Sequence, residues 1–167
     1  MQLDDAVIAQ VREIYDLLIT RNNNLLISTA ESCTGGMLAA YITSISGASK
    51  IFQSGLVVYS NVSKVKLLGL PQHILSIYGS VSAECAIAMA ENCKIVTKSD
   101  IALSITGNAD SSSIPEQKQG GLVYFGICGT NSKSYKKNFN GDRHQVRSQA
   151  CQYAIELLRD YVCNILQ

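Results

Sequence analysis

The sequence predicts an α/β fold: a single domain of three α/β/α layers around a mixed β-sheet. Two patterns lead there. Short apolar runs of strand length alternate with segments whose apolar residues recur every three or four positions, the signature of helices packed on a largely parallel sheet. Later, the runs Gly121–Cys128 and Lys133–Phe139 flank Gly129-Thr130-Asn131-Ser132 and read as a hairpin, which adds antiparallel strands. No internal repeat, linker or charge block interrupts the 167 residues, and a domain usually takes roughly 100–200. One domain over 1–167 is therefore expected.

The first helix is predicted over Leu3 to Thr20, with its apolar stripe at Val7, Val11, Ile14, Leu17 and Leu18. Asn22-Asn23-Asn24 ends it, because asparagine tolerates turn and left-handed geometry. Leu25 to Ala30 is a strand, Glu31 to Gly36 a tight turn, and Met37 to Ile42 a helix. Phe52 to Ser60 reads as a strand carrying the β-formers Val57, Val58 and Tyr59. Asn61 is an expected cap for a short helix through Leu68, closed by Gly69, and Pro71 suits the first turn of the next. Ser82 caps a helix from Ala83 to about Lys98, and Ile101 to Ile105 is a buried strand. A polar, serine-rich loop over Asn108 to Gln119 precedes the hairpin. Asp142 to Leu166 forms the last helix, striped by Val146, Ala150, Tyr153, Leu157, Tyr161 and Ile165.

Composition narrows the function classes. With 47% hydrophobic and 16% charged residues the chain is too apolar for intrinsic disorder. A net charge of +1 gives no general field for nucleic acid or an anionic membrane. No apolar run approaches the roughly 20 residues of a membrane span. The start Met1-Gln2-Leu3-Asp4-Asp5 lacks the basic and apolar regions of an export signal, so a cytoplasmic location is expected. Lys133, Lys136, Lys137, Arg143 and Arg147 cluster with Asp142 as the one acid among them. This cluster reads either as a solvated face or as an anion-binding rim.

Six cysteines and two histidines make neither a disulfide scaffold nor a zinc site. There is no Cys-x-x-Cys pair. Cys85, Cys93, Cys128, Cys151 and Cys163 fall within apolar patterns and read as small buried thiols.

The segment Glu31-Ser32-Cys33-Thr34-Gly35-Gly36 joins a strand end to a helix start. Unpaired backbone N–H groups and the positive helix terminus favour anions there, and two glycines permit close approach. It matches neither a Walker A loop nor Gly-x-Gly-x-x-Gly. The plain alternative is that Thr34 caps the helix and the glycines only make the turn. A serine nucleophile here needs a base. His73 and His144 sit in positions that read as surface, so lysine is the other option. Lys64 lies in the first turn of a helix, where the macrodipole disfavours its charge and would depress its pKa; its plain alternative is a snorkelling surface lysine. Cys33 at the helix start is a rival nucleophile, since such a site lowers a thiol pKa. Thr106-Gly107, at the end of a buried strand, falls where open α/β sheets bind ligands. Tyr59 is either core or a proton donor into the same site.

Taken with Ser46-Gly47-Ala48-Ser49, Tyr59-Ser60-Asn61 with Lys64, Leu68-Gly69-Leu70-Pro71, Gly79-Ser80-Val81-Ser82, and Gly141-Asp142-Arg143 with Arg147, the Thr29 to Gly36 segment resembles the C-terminal domain family of the competence/damage-inducible protein CinA. Stand-alone members of that family include nicotinamide-nucleotide amidohydrolases. The resemblance implies hydrolysis of the amide of nicotinamide mononucleotide to nicotinate mononucleotide and ammonia, without metal or other cofactor. By motif, Ser32 is then the nucleophile and Lys64 its base, with Tyr59 and Thr106 assisting. Glu31, Cys33, Thr34, Gly35, Gly36, Gly107 and Arg143 become substrate-binding residues. The expected partner is a small nucleotide, and an apolar helical surface is left open to pairing with a second copy. The chain departs from the family at one loop, where a Gly-Pro step is replaced by Asp110-Ser111. Asp110 is expected to repel a substrate phosphate. A second class of function is a catalytically weakened, inactive or altered-specificity relative that binds a nucleotide or a protein partner.

Overall fold

A computed structural model describes residues 4–20, 25–110 and 120–166. Expectations for residues 1–3, the asparagine turn at 22–24 and the loop segment 111–119 fall outside these.

The elements run α1 Asp5–Thr20, β1 Ile27–Glu31, α2 Met37–Thr43, β2 Phe52–Val57, α3 Asn61–Leu68, α4 Gln72–Tyr78, α5 Ala83–Thr97, β3 Ile101–Gly107, β4 Leu122–Cys128, β5 Ser132–Asn138 and α6 Arg143–Ile165. A 3₁₀ turn at Ala48–Lys50, absent from the sequence reading, precedes β2. The sheet order is β2-β1-β3-β4-β5. β1 pairs in parallel with β2 and with β3, while β3–β4 and β4–β5 are antiparallel. The sheet is therefore mixed, as the alternating segments and the hairpin require.

Side-chain alternation along the strands builds two cores, one on each face. Ile27, Ile101, Leu103, Ile105, Val123 and Phe125 pack with α1, α2 and α6. Ala30 and Ala102 point the other way and pack with α5, Leu68 and Leu70. The α5 backbone comes so close to β4 that a Cβ on Gly126 would lie 2.2 Å from the Ala86 carbonyl oxygen, so only glycine fits there.

One cap differs from expectation, and a second removes the plain alternative for Thr34. Ser60, not Asn61, caps α3: its Oγ accepts from Ser63 N–H, and Ser63 Oγ accepts from Ser60 N–H. Accordingly β2 stops at Val57 rather than running to Ser60. Thr34 does not cap α2 either. That position belongs to Gly36, whose φ of 93° is accessible to glycine at little cost. Ser82 and Asp142 cap α5 and α6, the former as the sequence predicts.

The parallel strands β2, β1 and β3 end on the same side of the sheet. The chain leaving β1 returns at β2, whereas the chain leaving β3 returns at β4. These divergent connections open a crevice at the strands' carboxyl ends. Among the described residues no helix is long and apolar enough to cross a membrane.

Candidate active site

Ser32 immediately follows β1. Its N–H donates to the Ile105 carbonyl of β3, which fixes the backbone as the chain leaves the sheet. Lys64 approaches from α3. The capped first turn places Lys64 and Leu68, four residues apart, on the same buried face. The lysine is 1% exposed, one of the largest fully buried side chains in the protein. Its Nζ donates to Ser32 Oγ at 2.9 Å and to the Val58 carbonyl at 3.1 Å. Burial strips water from the ammonium and drives the Lys64 pKa below its ordinary 10.5, a shift that the neighbouring Cys85 and Cys33 oppose. The leading cause is desolvation by burial, where the sequence suggested the helix dipole.

Ser32 and Lys64 line a cleft of about 260 Å³ together with Cys33, Tyr59, Thr106, Gly107 and Arg143. Asn61, Ser80 and Val81, which fall within the family motifs but were not singled out as site residues, complete its wall, and Asn108 to Asp110 border it from the end of β3. The histidines are exposed and neither lines the cleft.

Several residues carry other tasks than expected. Glu31 does not face the cleft. It is 1% exposed, and its carboxylate accepts from the N–H groups of Gly36, Leu38 and Ala39 at 3.0, 3.1 and 2.8 Å. The anion that satisfies the start of α2 is thus part of the protein. Gly35 N–H donates to the Ser32 carbonyl, and the Thr34 carbonyl accepts from Arg147 Nη2. Thr34, Gly35 and Gly36 shape the turn rather than line the cleft. Thr106 does line it, but its hydroxyl donates to the Ser80 carbonyl at 2.6 Å and so positions that wall.

The thiol alternative also changes sign. Cys33 lines the cleft, but burial pushes its pKa up to about 11, and the helix start does not make it a thiolate. Cys85, Cys93, Cys128 and Cys151 are buried free thiols, whereas Cys163 is half-buried.

Tyr59 and Arg143 stand at the mouth. The Tyr59 carbonyl accepts a long bond from Ser32 Oγ at 3.4 Å, and the phenol, on a side chain in a residue 58% exposed, accepts from Arg143 Nη2 at 2.7 Å. Arg143 Nη1 pairs with Asp110 Oδ2 at 2.6 Å. The basic cluster does not form one rim. Lys136 and Lys137 lie over the rings of Tyr124 and Tyr153, and Lys133 borders a separate cavity beside α6.

Fold and site together define an α/β/α domain with a buried serine–lysine pair at the carboxyl ends of its parallel strands. The chain belongs to the CinA C-terminal domain family, whose model matches residues 9–162. It is 42% identical over 142 residues to a CinA-like protein of Kosmotoga olearia, covering 84% of this chain and 34% of that protein. It is 40% identical over 165 residues to a CinA-like protein of Citrifermentans bemidjiense, covering 96% and 40%. The chain thus spans about a third to two-fifths of the length of these curated relatives. Among solved structures, competence damage-inducible protein A (ComA) of Klebsiella pneumoniae superposes with a TM-score of 0.88 at 26% identity, over 94% of this chain and 97% of that one. The competence/damage inducible protein CihA of Agrobacterium tumefaciens gives 0.86 at 28%, over 95% and 96%.

Proposed function

We propose that the protein hydrolyses the carboxamide of nicotinamide mononucleotide, giving nicotinate mononucleotide and ammonia, through Ser32 and Lys64. The observation that carries this reading is the 2.9 Å contact between Ser32 Oγ and a buried lysine amine whose pKa is lowered. A serine hydroxyl is a weak nucleophile until a base takes its proton. Neutral Lys64 fills that role. As Ser32 Oγ bonds to the carboxamide carbon, its proton passes to Nζ. Collapse of the tetrahedral adduct breaks the C–N bond, and the Nζ proton leaves with the ammonia. Water then attacks the resulting ester. Lys64 takes a proton from that water, and the proton returns to Ser32 Oγ as the carboxylic acid departs. The cycle consumes one water per amide and needs no metal or redox partner.

Tyr59 and Arg143 flank the mouth through which the substrate enters, and Thr106 acts through the Ser80 segment it holds. Ammonia release from nicotinamide mononucleotide by the purified protein tests the reading. A second reading, a module that binds without turnover, draws on the contact between Asp110 and Arg143, which occupies a group otherwise available to substrate. Tight nucleotide binding with no ammonia formed would favour it.

A further inference from the structure

Three charged side chains line the cleft among the described residues: Lys64, Asp110 and Arg143. Lys64 is engaged at the bottom with Ser32 and Val58. Among the described residues Arg143 is therefore the cation at the mouth, and each terminal nitrogen of its guanidinium already makes one contact. Nη1 meets Asp110 Oδ2 at 2.6 Å and Nη2 meets the Tyr59 hydroxyl at 2.7 Å. Among the described residues Lys136 and Lys137 are directed to aromatic rings, Arg147 to the Thr34 carbonyl, and Lys133 borders a separate cavity. A phosphate entering this mouth meets a neutral ion pair. A phosphate that reaches the remaining N–H groups of Arg143 sits beside the Asp110 carboxylate, which repels it.

We infer that Asp110 is a specificity determinant: by pairing with Arg143 it withholds that cation from a substrate phosphate, so the site favours carboxamides without a phosphate, such as nicotinamide riboside, over their 5′-phosphates. The inference rests on the hydrolase reading and assigns its substrate class. A pyridinium riboside carries one positive charge and no anion, so the paired mouth has nothing to repel. The Arg143 and Asp110 side chains are 44% and 51% exposed. Water screens the pair, so the discrimination is graded rather than absolute.

The test compares kcat/KM for nicotinamide mononucleotide and for nicotinamide riboside in the wild type, Asp110→Asn and Asp110→Asn/Arg143→Gln. The nucleotide-to-riboside ratio is expected to lie below one in the wild type. It is expected to rise roughly tenfold in Asp110→Asn, mainly through a lower nucleotide KM, and to fall back in the double variant. A wild-type ratio above one, or one that Asp110→Asn leaves unchanged, overturns the inference. Calorimetry with ribose 5-phosphate at low ionic strength reads the same competition without turnover. Asp110→Asn should bind it roughly tenfold more tightly than the wild type, and equal affinities overturn the inference. Failure to release ammonia from either amide, alongside that gain in affinity, would refute the hydrolase reading while supporting the role of Asp110.

Discussion

Lys64 Nζ lies 2.9 Å from Ser32 Oγ, although 32 residues separate the two in sequence. Their side chains meet because β1 and β2 run parallel and end together, and because α3 turns its first buried residue back toward the end of β1. At 1% exposure the amine is held dry against the hydroxyl it would deprotonate.

Activity should follow Lys64 deprotonation. The amine is a base only when neutral, and burial lowers its pKa from 10.5. The kcat profile is expected to rise with pH through a single ionisation below 10.5 and then level. Lys64→Arg keeps the charge but cannot deprotonate in this range. It should lose at least about a hundredfold in kcat at every pH, as removal of a general base does. A flat profile in the wild type would separate the lysine from the rate.

The same burial costs stability. The folded pKa is depressed, so the unfolded chain binds the proton more tightly and unfolding is favoured wherever the lysine must be charged. The penalty is full below the folded pKa and fades as pH rises toward 10.5. Lys64→Met, similar in length and uncharged, is expected to stabilise the protein by about 1–3 kcal/mol at neutral pH. That gain should shrink between neutral pH and pH 10.5. Denaturant midpoints at several pH values check both the sign and the trend.

Glu31→Ala should destabilise the protein by roughly 2–4 kcal/mol, because three N–H groups at the start of α2 lose a charged acceptor. Glu31→Gln, which keeps an acceptor oxygen, should cost less. If Glu31 instead held substrate, its loss would appear in KM and leave the denaturant midpoint in place.

All six cysteines should titrate as free thiols in denaturant. In the folded protein at neutral pH, alkylation should be slow and should begin at half-buried Cys163. Cys33, with its pKa near 11, should react late. Rapid labelling of Cys33 with loss of activity would restore the thiol as a rival nucleophile.

The architecture was legible because it rests on local patterns. Apolar residues at Val7, Val11 and Ile14 give a helix, and Gly129-Thr130-Asn131-Ser132 gives a hairpin, whatever lies around them. Ser32 and Lys64 were legible as residues from their places at a strand end and in a first turn, but for the lysine a surface position was the default reading of the sequence. Only the packing of α3 against α5 and Val58 decides that. Glu31 carried a readable signal, since an acid just before a helix start suits its dipole. The pairing of Asp110 with Arg143 carried none. The two are 33 residues apart, and nothing periodic links a residue after β3 to the first turn of α6. The basic cluster was misleading for the opposite reason. Successive side chains on β5 point to opposite faces, so neighbours in sequence do not share a rim.

Ammonia release from nicotinamide mononucleotide and from nicotinamide riboside, measured for the wild type, Ser32→Ala and Cys33→Ala, separates serine from thiol chemistry. The wild type and Cys33→Ala should release ammonia, and Ser32→Ala should fold normally yet lose activity. Near-full release by Ser32→Ala, or none by the wild type, would contradict the serine–lysine account.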